Sequence, residues 1–268
     1  MLPGPPREVR PLLEHRVRPI LAELSDAVIA SHNVHFYGIG ESEMEYRLRG
    51  YMEELTNPTL APYAKSGECL VRVTAKARTA EEAEEMMAPV IERVKAMFGD
   101  LVYAVDGKDI AEHTVKLLIE KGVTIAAAES CTGGSIAARF TAMPGASAYF
   151  LCGVVAYSNE SKNNLLGVDP ETIASRGAVS EEVARQMAEG ARRITGADYA
   201  VATTGIAGPA GGTEQKPVGT VWMAVAGPHR TVTLLKQCGT DRGQVIDRAS
   251  AFALALLRDE IERDAAGE

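Results

Sequence analysis

Histidine is scarce in this chain. The five residues of this type, His15, His32, His35, His113 and His229, stand at no spacing that suits a metal site or a Ser-His-Asp triad. The four cysteines, Cys69, Cys131, Cys152 and Cys238, are scattered without a Cys-x-x-Cys pair, which excludes a zinc ribbon or a dithiol redox motif and leaves them as reduced core residues. Long apolar runs are absent as well: none approaches the roughly 20 residues of a membrane-spanning helix, and the opening MLPGPPREVRPLLEHRVRP has no signal-peptide core. The expectation is a cytoplasmic protein with no membrane contact. Nor is there a positive excess. The net charge is −8, with acidic residues spread along the chain, so direct nucleic-acid binding is not expected and an anionic substrate needs a local site.

What remains is the composition of an ordinary globular protein, 46% apolar and 24% charged, in 268 residues, a length that suits two domains. Residues 1–32, with Pro3, Pro5 and Pro6 before a helix over 8–24, read as the tail of something larger plus a linker. From Asn33 to Val105 the pattern is strand (34–38), helix (41–55), loop, strand (68–77), helix (80–98) and strand (101–105). Alternation in CLVRVTAKA and helical spacing in AEEAEEMMAPVIERVKAMF carry these assignments, with a kink or break expected at Pro89. This is a small α+β unit. Its Gly38-Ile39-Gly40-Glu41 turn reads most simply as a glycine turn before an acidic helix. After the polar hinge Asp106-Gly107-Lys108, residues 109–268 alternate strands and amphipathic helices, among them a helix from about Thr132 to Thr141 and a strand from Gly153 to Tyr157. They predict a three-layer α/β/α domain with a mixed sheet, because the last two strands (219–226 and 231–237) form a hairpin.

Three clusters in this second domain could carry chemistry. Glu129-Ser130-Cys131-Thr132-Gly133-Gly134 follows a strand of small apolar residues and opens a helix, where open α/β sheets bind ligands and backbone N–H groups can meet an anion. Helix capping by Ser130 or Thr132 is the alternative. The second cluster places Ser147, just past Met143-Pro144-Gly145, fifteen residues before Lys162 in Tyr157-Ser158-Asn159-Glu160-Ser161-Lys162. Lysine activates a serine only when neutral, which from a reference pKa near 10.4 costs roughly 4.6 kcal/mol at pH 7 unless burial or charge shifts it. By spacing alone Lys162 reads more readily as a solvated first-turn residue. The third cluster, Thr203 to Thr213 followed by Lys216-Pro217-Val218-Gly219-Thr220, is so rich in glycine that close approach of backbone to ligand is expected. Arg242, at the start of the last helix, could pair with a phosphate or lie in solvent.

AAAESCTGG, MPGASAYF, GVVAYSNESK, RGAVSEEVARQMAEGA and TGIAGPAGGTEQKPVGTV, in this order, resemble the C-terminal domain of the CinA competence-damage family, whose stand-alone form is nicotinamide-nucleotide amidohydrolase. FYGIGESEME and TNPTLAPYAKSGE resemble that family's KH-like middle domain. MLPGPPREVRPLLE resembles the close of its molybdopterin-binding-like N-terminal domain, whose metal-dependent pyrophosphatase activity is accordingly not expected here. The resemblance implies deamidation of nicotinamide mononucleotide to nicotinic acid mononucleotide and ammonia, without metal or cofactor. It points to Ser147 as nucleophile, with Ser130 in the more conspicuous motif as the alternative, to Lys162 as base and to Tyr157 as orienting or relaying group. Ser130, Thr132, Gly133, Gly134, Thr204, Gly205, Gly208, Gly211, Gly212, Thr213 and Arg242 would hold the substrate. A homodimer is expected. The alternative is a catalytically silent nucleotide-binding regulator or scaffold of the competence and DNA-damage system.

Overall fold

The structure, a computed structural model, describes residues 4–65 and 68–267. It opens with α1 (Pro6–Leu12) and α2 (Arg18–Glu23), joined by a π-helical turn over Leu13–Val17. There follow β1 (Val28–Phe36), α3 (Glu41–Glu54), β2 (Thr59–Lys65), β3 (Glu68–Ala77), α4 (Ala80–Phe98) and β4 (Val102–Val105). The strands form a sheet of order β2-β3-β1-β4. Thr79 caps α4 by accepting the Glu82 N–H, and the helix runs through Pro89 unbroken. Pro89 lies on the exposed face, where water can serve the carbonyl that a proline leaves without a donor. Alternation in β3 buries Val71, Val73 and Ala75 and exposes Arg72 and Lys76. The sequence reading had no strand at β2, because Pro58 and Pro62 argue against one; β2 is an edge strand, the place in a sheet where a missing N–H is tolerated.

The second part comprises α5 (Ile110–Lys121), β5 (Ile125–Glu129), α6 (Ser135–Thr141), β6 (Phe150–Val155), α7 (Asn159–Leu166), α8 (Pro170–Arg176), α9 (Glu181–Thr195), β7 (Tyr199–Gly205), β8 (Thr220–Ala226), β9 (Thr231–Gln237) and α10 (Arg242–Ala266). The chain divides into two compact units, one mainly Glu41–Tyr63 and Leu70–Asp100, the other mainly from Leu101 onward.

The sheet of the second unit has the order β6-β5-β7-β8-β9. The first three strands are parallel and β7-β8-β9 antiparallel, the mixed arrangement that the hairpin pattern predicted. Period-two alternation sorts its side chains into two layers. Ile125, Ala127, Val201, Val221, Met223 and Val225 pack with Leu118 of α5, Ile136 and Phe140 of α6 and Leu254 of α10. Each large side chain buried there stabilises the fold by about 1.5–3 kcal/mol. Ala126, Ala128, Ala200, Ala202, Ala224 and Ala226 face the other way, toward Leu166 of α7 and Val183, Met187 and Ala191 of α9. Small residues on that face let the helices come close. The limit is reached at Gly190, where a Cβ would stand 1.9 Å from the Leu166 carbonyl oxygen.

The chain therefore leaves β5 toward α6 on one face and leaves the neighbouring β6 toward α7 and α9 on the other. Adjacent strands with diverging connections open a crevice at their carboxyl ends. Three boundaries around it differ from the sequence reading. β6 begins at Phe150 rather than near Gly153 and ends before Tyr157, because Ser158 must leave the sheet to cap α7 in a capping box with Ser161. α6 starts at Ser135 rather than Thr132, since Gly133 and Gly134 have φ of 61° and 98°. Helix α8, between Asp169-Pro170 and Gly177, was not anticipated: in seven residues, Pro and Gly punctuation dominates the pattern.

Candidate active site at the carboxyl ends of β5 and β6

Ser130 is the first residue beyond β5, and its N–H, donated to the Thr203 carbonyl at 3.0 Å, ties it to the end of β7. Lys162 lies in the first turns of α7. Helical side chains point back toward the N-terminus, so this one returns over the end of β6 and into the crevice. Only 2% exposed, it places Nζ 3.0 Å from Ser130 Oγ, 2.9 Å from the Ala156 carbonyl and 3.4 Å from the Tyr157 carbonyl. Burial pulls its pKa down from the ordinary lysine value. The ionisable group that acts in the opposite sense is Cys131, whose own thiol burial pushes up to about 12, so it stays protonated and contributes no negative charge at neutral pH.

The Ser130 turn has an internal brace. The carboxylate of Glu129, 1% exposed, accepts the N–H groups of Gly134, Ile136 and Ala137 at 3.0, 3.1 and 2.8 Å. The start of α6, expected from the sequence to face a substrate anion, is thus occupied by the protein's own carboxylate. Thr132 Oγ1 pairs with Thr203 Oγ1 at 2.7 Å, both residues buried. Thr132, Gly133 and Gly134 build the turn rather than line the space in front of it.

That space is a cleft of about 190 Å³. Ser130, Cys131, Tyr157, Asn159 and Lys162 border it on one side, Ala178 and Val179 on another, and Thr204, Gly205 and Ala207 from the end of β7. Thr204 Oγ1 donates to the Ala178 carbonyl at 2.7 Å. Gly205 is required by its neighbours, since a Cβ would fall 2.8 Å from the Thr220 carbonyl oxygen.

The expected pairing of Ser147 with Lys162 is corrected by this geometry. Ser147 sits in an exposed 3-10 turn, Ala146–Ala148, before β6, whereas Lys162 follows it. The six residues of β6 lie between them, about 20 Å at roughly 3.3 Å per residue. The serine that Lys162 meets is Ser130. The Tyr157 hydroxyl is likewise not directed at the lysine: it accepts from Arg242 Nη2 at 2.7 Å, while the side chain is 60% exposed. Arg242 Nη1 donates to the Gly208 carbonyl at 2.7 Å, so one guanidinium joins the Tyr157 segment to the glycine-rich loop at the mouth of the cleft.

Comparison with known proteins agrees with this architecture. The CinA C-terminal domain matches residues 107–261, and the KH domain of damage-inducible protein CinA matches residues 31–104. The chain belongs to the CinA family. A CinA-like protein of Kosmotoga olearia is 42% identical over 96% of this chain, and a putative competence-damage inducible protein of Clostridium beijerinckii is 45% identical over the same share. The chain spans 63% of the length of each. Among solved structures, a CinA superfamily protein from Klebsiella pneumoniae superposes with a TM-score of 0.56 at 37% identity, covering 57% of this chain and 96% of that one. One from Escherichia coli gives 0.54 at 35% identity, covering 59% and 94%. A KH-like domain of CinA over residues 31–104 is thus followed by its C-terminal domain over residues 107–261.

In this CinA chain the remaining anticipated residues divide sharply. Thr204 and Gly205 line the cleft, and Gly208 and Arg242 stand together at its mouth. Gly211, Gly212 and Thr213 are exposed in the loop and do not line it; Thr213 instead closes a turn with Lys216. The sequence reading missed Glu129, which looked like part of a ligand loop, and the Ala178–Val179 wall, which carries no reactive group to notice. Among the described residues, no three His, Cys, Asp or Glu are grouped to hold a metal ion, and no helix is long and apolar enough to cross a membrane.

Proposed function

We propose that this chain hydrolyses the carboxamide of nicotinamide mononucleotide, giving nicotinic acid mononucleotide and ammonia, with Ser130 as nucleophile and Lys162 as general base. The observation that carries the reading is the buried Lys162 amine 3.0 Å from the Ser130 hydroxyl, at the edge of a small cleft. The choice of substrate comes from the family resemblance; the chemistry comes from the residues. A neutral amine has two N–H donors and one lone pair. The carbonyls of Ala156 and Tyr157 take the two donors, which turns the lone pair toward Ser130 Oγ.

Lys162 removes the Ser130 proton as Oγ bonds to the carboxamide carbon, and the carbonyl oxygen becomes an oxyanion beside the Ser130–Cys131 backbone, the part of the turn that borders the cleft. The tetrahedral species collapses, the C–N bond breaks, and the Lys162 ammonium gives its proton to departing ammonia. Water then attacks the acyl-enzyme while Lys162 accepts a proton from it. The acid leaves and Ser130 is re-protonated by the lysine. Arg242 is the cation placed to meet the substrate phosphate, exchanging its bonds to Tyr157 and Gly208 for charge-assisted ones.

Release of ammonia and the acid nucleotide from nicotinamide mononucleotide by the full chain tests the reading. Binding by calorimetry without release would replace it with the non-catalytic regulatory function.

A further inference from the structure

The wall of the cleft facing Ser130 and Lys162 is the short segment between α8 and α9. It has no secondary structure of its own, and Gly177 holds φ 81°, a left-handed value that favours glycine. Four successive carbonyls, from the last residue of α8 through this segment, each accept from a side chain. Arg176 O accepts from Lys216 Nζ at 2.9 Å, Gly177 O from Ser180 Oγ at 2.9 Å, Ala178 O from Thr204 Oγ1 at 2.7 Å and Val179 O from Lys216 Nζ at 2.8 Å. Ser180 acts within the segment and Thr204 from the end of β7. Lys216 alone of these three donors reaches it from the glycine-rich loop, and it bonds on both sides of Ala178.

The loop in turn fixes Lys216. Its N–H donates to Thr213 Oγ1 at 3.0 Å and its carbonyl accepts the Thr213 N–H at 2.9 Å, so the backbone from which the ammonium projects is closed into a turn. An ammonium given to two carbonyls is a charge-assisted strut, stronger than a neutral pair of bonds and indifferent to the side chains it supports. Those side chains, Ala178 and Val179, are small and apolar, suited to the face of a planar ring. A shift of about 1 Å in such a wall is enough to misplace a bound amide relative to its nucleophile.

We propose that Lys216 is a positioning residue that sets the Ala178–Val179 wall at its working distance from Ser130 and Lys162, and so governs how the aromatic ring of the substrate is seated. The assignment to ring binding rests on the amidohydrolase reading; the strut itself does not.

The test compares the unmodified chain with Lys216→Met, which keeps the stem and removes the donors, and Lys216→Arg, which keeps a cation. Hydrogen exchange of the amides of Gly177 to Ser180 is measured alongside ammonia release at 25 °C. In Lys216→Met these amides exchange at least tenfold faster, KM for nicotinamide mononucleotide rises about tenfold, and kcat changes less than threefold. Lys216→Arg restores KM to within about threefold of the parent. Unchanged exchange in Lys216→Met overturns the strut. Faster exchange with unchanged KM overturns its role in seating substrate. If the parent chain releases no ammonia, the amidohydrolase reading falls, and the exchange measurement still decides whether Lys216 holds the wall.

Discussion

Two turns of the second unit look alike as sequence and differ completely as structure. ESCTGG after β5 and MPGASA before β6 both set a serine among glycines and small residues, and both have glycines at positive φ. Ser130 is 8% exposed, tied by its N–H to β7 and by its hydroxyl to Lys162. Ser147 is exposed in a turn at the opposite end of the sheet. Reactivity in a serine depends on a desolvated base held against it, and only the carboxyl end of this sheet gathers one. The same contrast holds for Lys162 in the cleft and Lys216 behind its wall: Lys162 is buried and meets a hydroxyl as well as carbonyls, whereas Lys216 meets carbonyls and can serve as a strut.

The largest expected effect separates the two serines. Ser130→Ala and Lys162→Met should each lower kcat by about 10³-fold or more, with nucleotide binding within a few fold, and the double variant should be hardly worse than either, because the pair acts as a unit. Met fills the space of Lys162 without leaving a buried charge. Ser147→Ala should stay within about threefold of the parent. Equal losses in Ser147→Ala and Ser130→Ala would break the comparison and point to a site completed by a second copy of the chain.

A smaller effect sharpens the role of the lysine. Its lowered pKa means that kcat/KM should rise about tenfold per pH unit on the acid side and level off at an apparent pKa below the ~10.4 of free lysine. The stability linkage has the same sign. Between the folded and unfolded pKa the unfolded chain binds the extra proton, so the stabilisation is complete above ~10.4 and is lost as pH falls through the folded value. Lys162→Met should remove this pH-dependent part of the unfolding free energy; an identical slope in both proteins would refute the assignment.

The smallest effect concerns the brace under Ser130. Glu129→Gln weakens the acceptor for three N–H groups at the start of α6 and should cost about 1–2 kcal/mol, seen as a fall of a few degrees in Tm. Activity should fall by less than in Ser130→Ala. A Tm equal to the parent's would show that the carboxylate charge is not needed there.

Much of the fold was legible. The short, continuously buried runs IAAAE and YAVATTG, apolar spacing in the helices around them and glycine at the helix ends suffice to place a layered α/β domain, because local propensity and burial pattern agree there. Strand β2 and helix α8 were hidden, the first by prolines that an edge strand tolerates, the second by its brevity.

For the site, the sequence by itself determined the residue types and the neighbourhood: a serine and glycines after β5, a lysine in the first turns of α7, a glycine-rich loop after β7. Which serine meets the lysine was decided only in three dimensions. The fifteen residues from Ser147 to Lys162 include a strand that carries the two apart, while the thirty-two from Ser130 to Lys162 fold back through α6 and β6 to bring them within 3.0 Å. Sequence separation measures contour length, and parallel strands return the chain to the same end of the sheet only after a full crossover. The tertiary structure likewise decided that Glu129, not a ligand, answers the start of α6, because a carboxylate beside three amide donors satisfies itself before any substrate arrives.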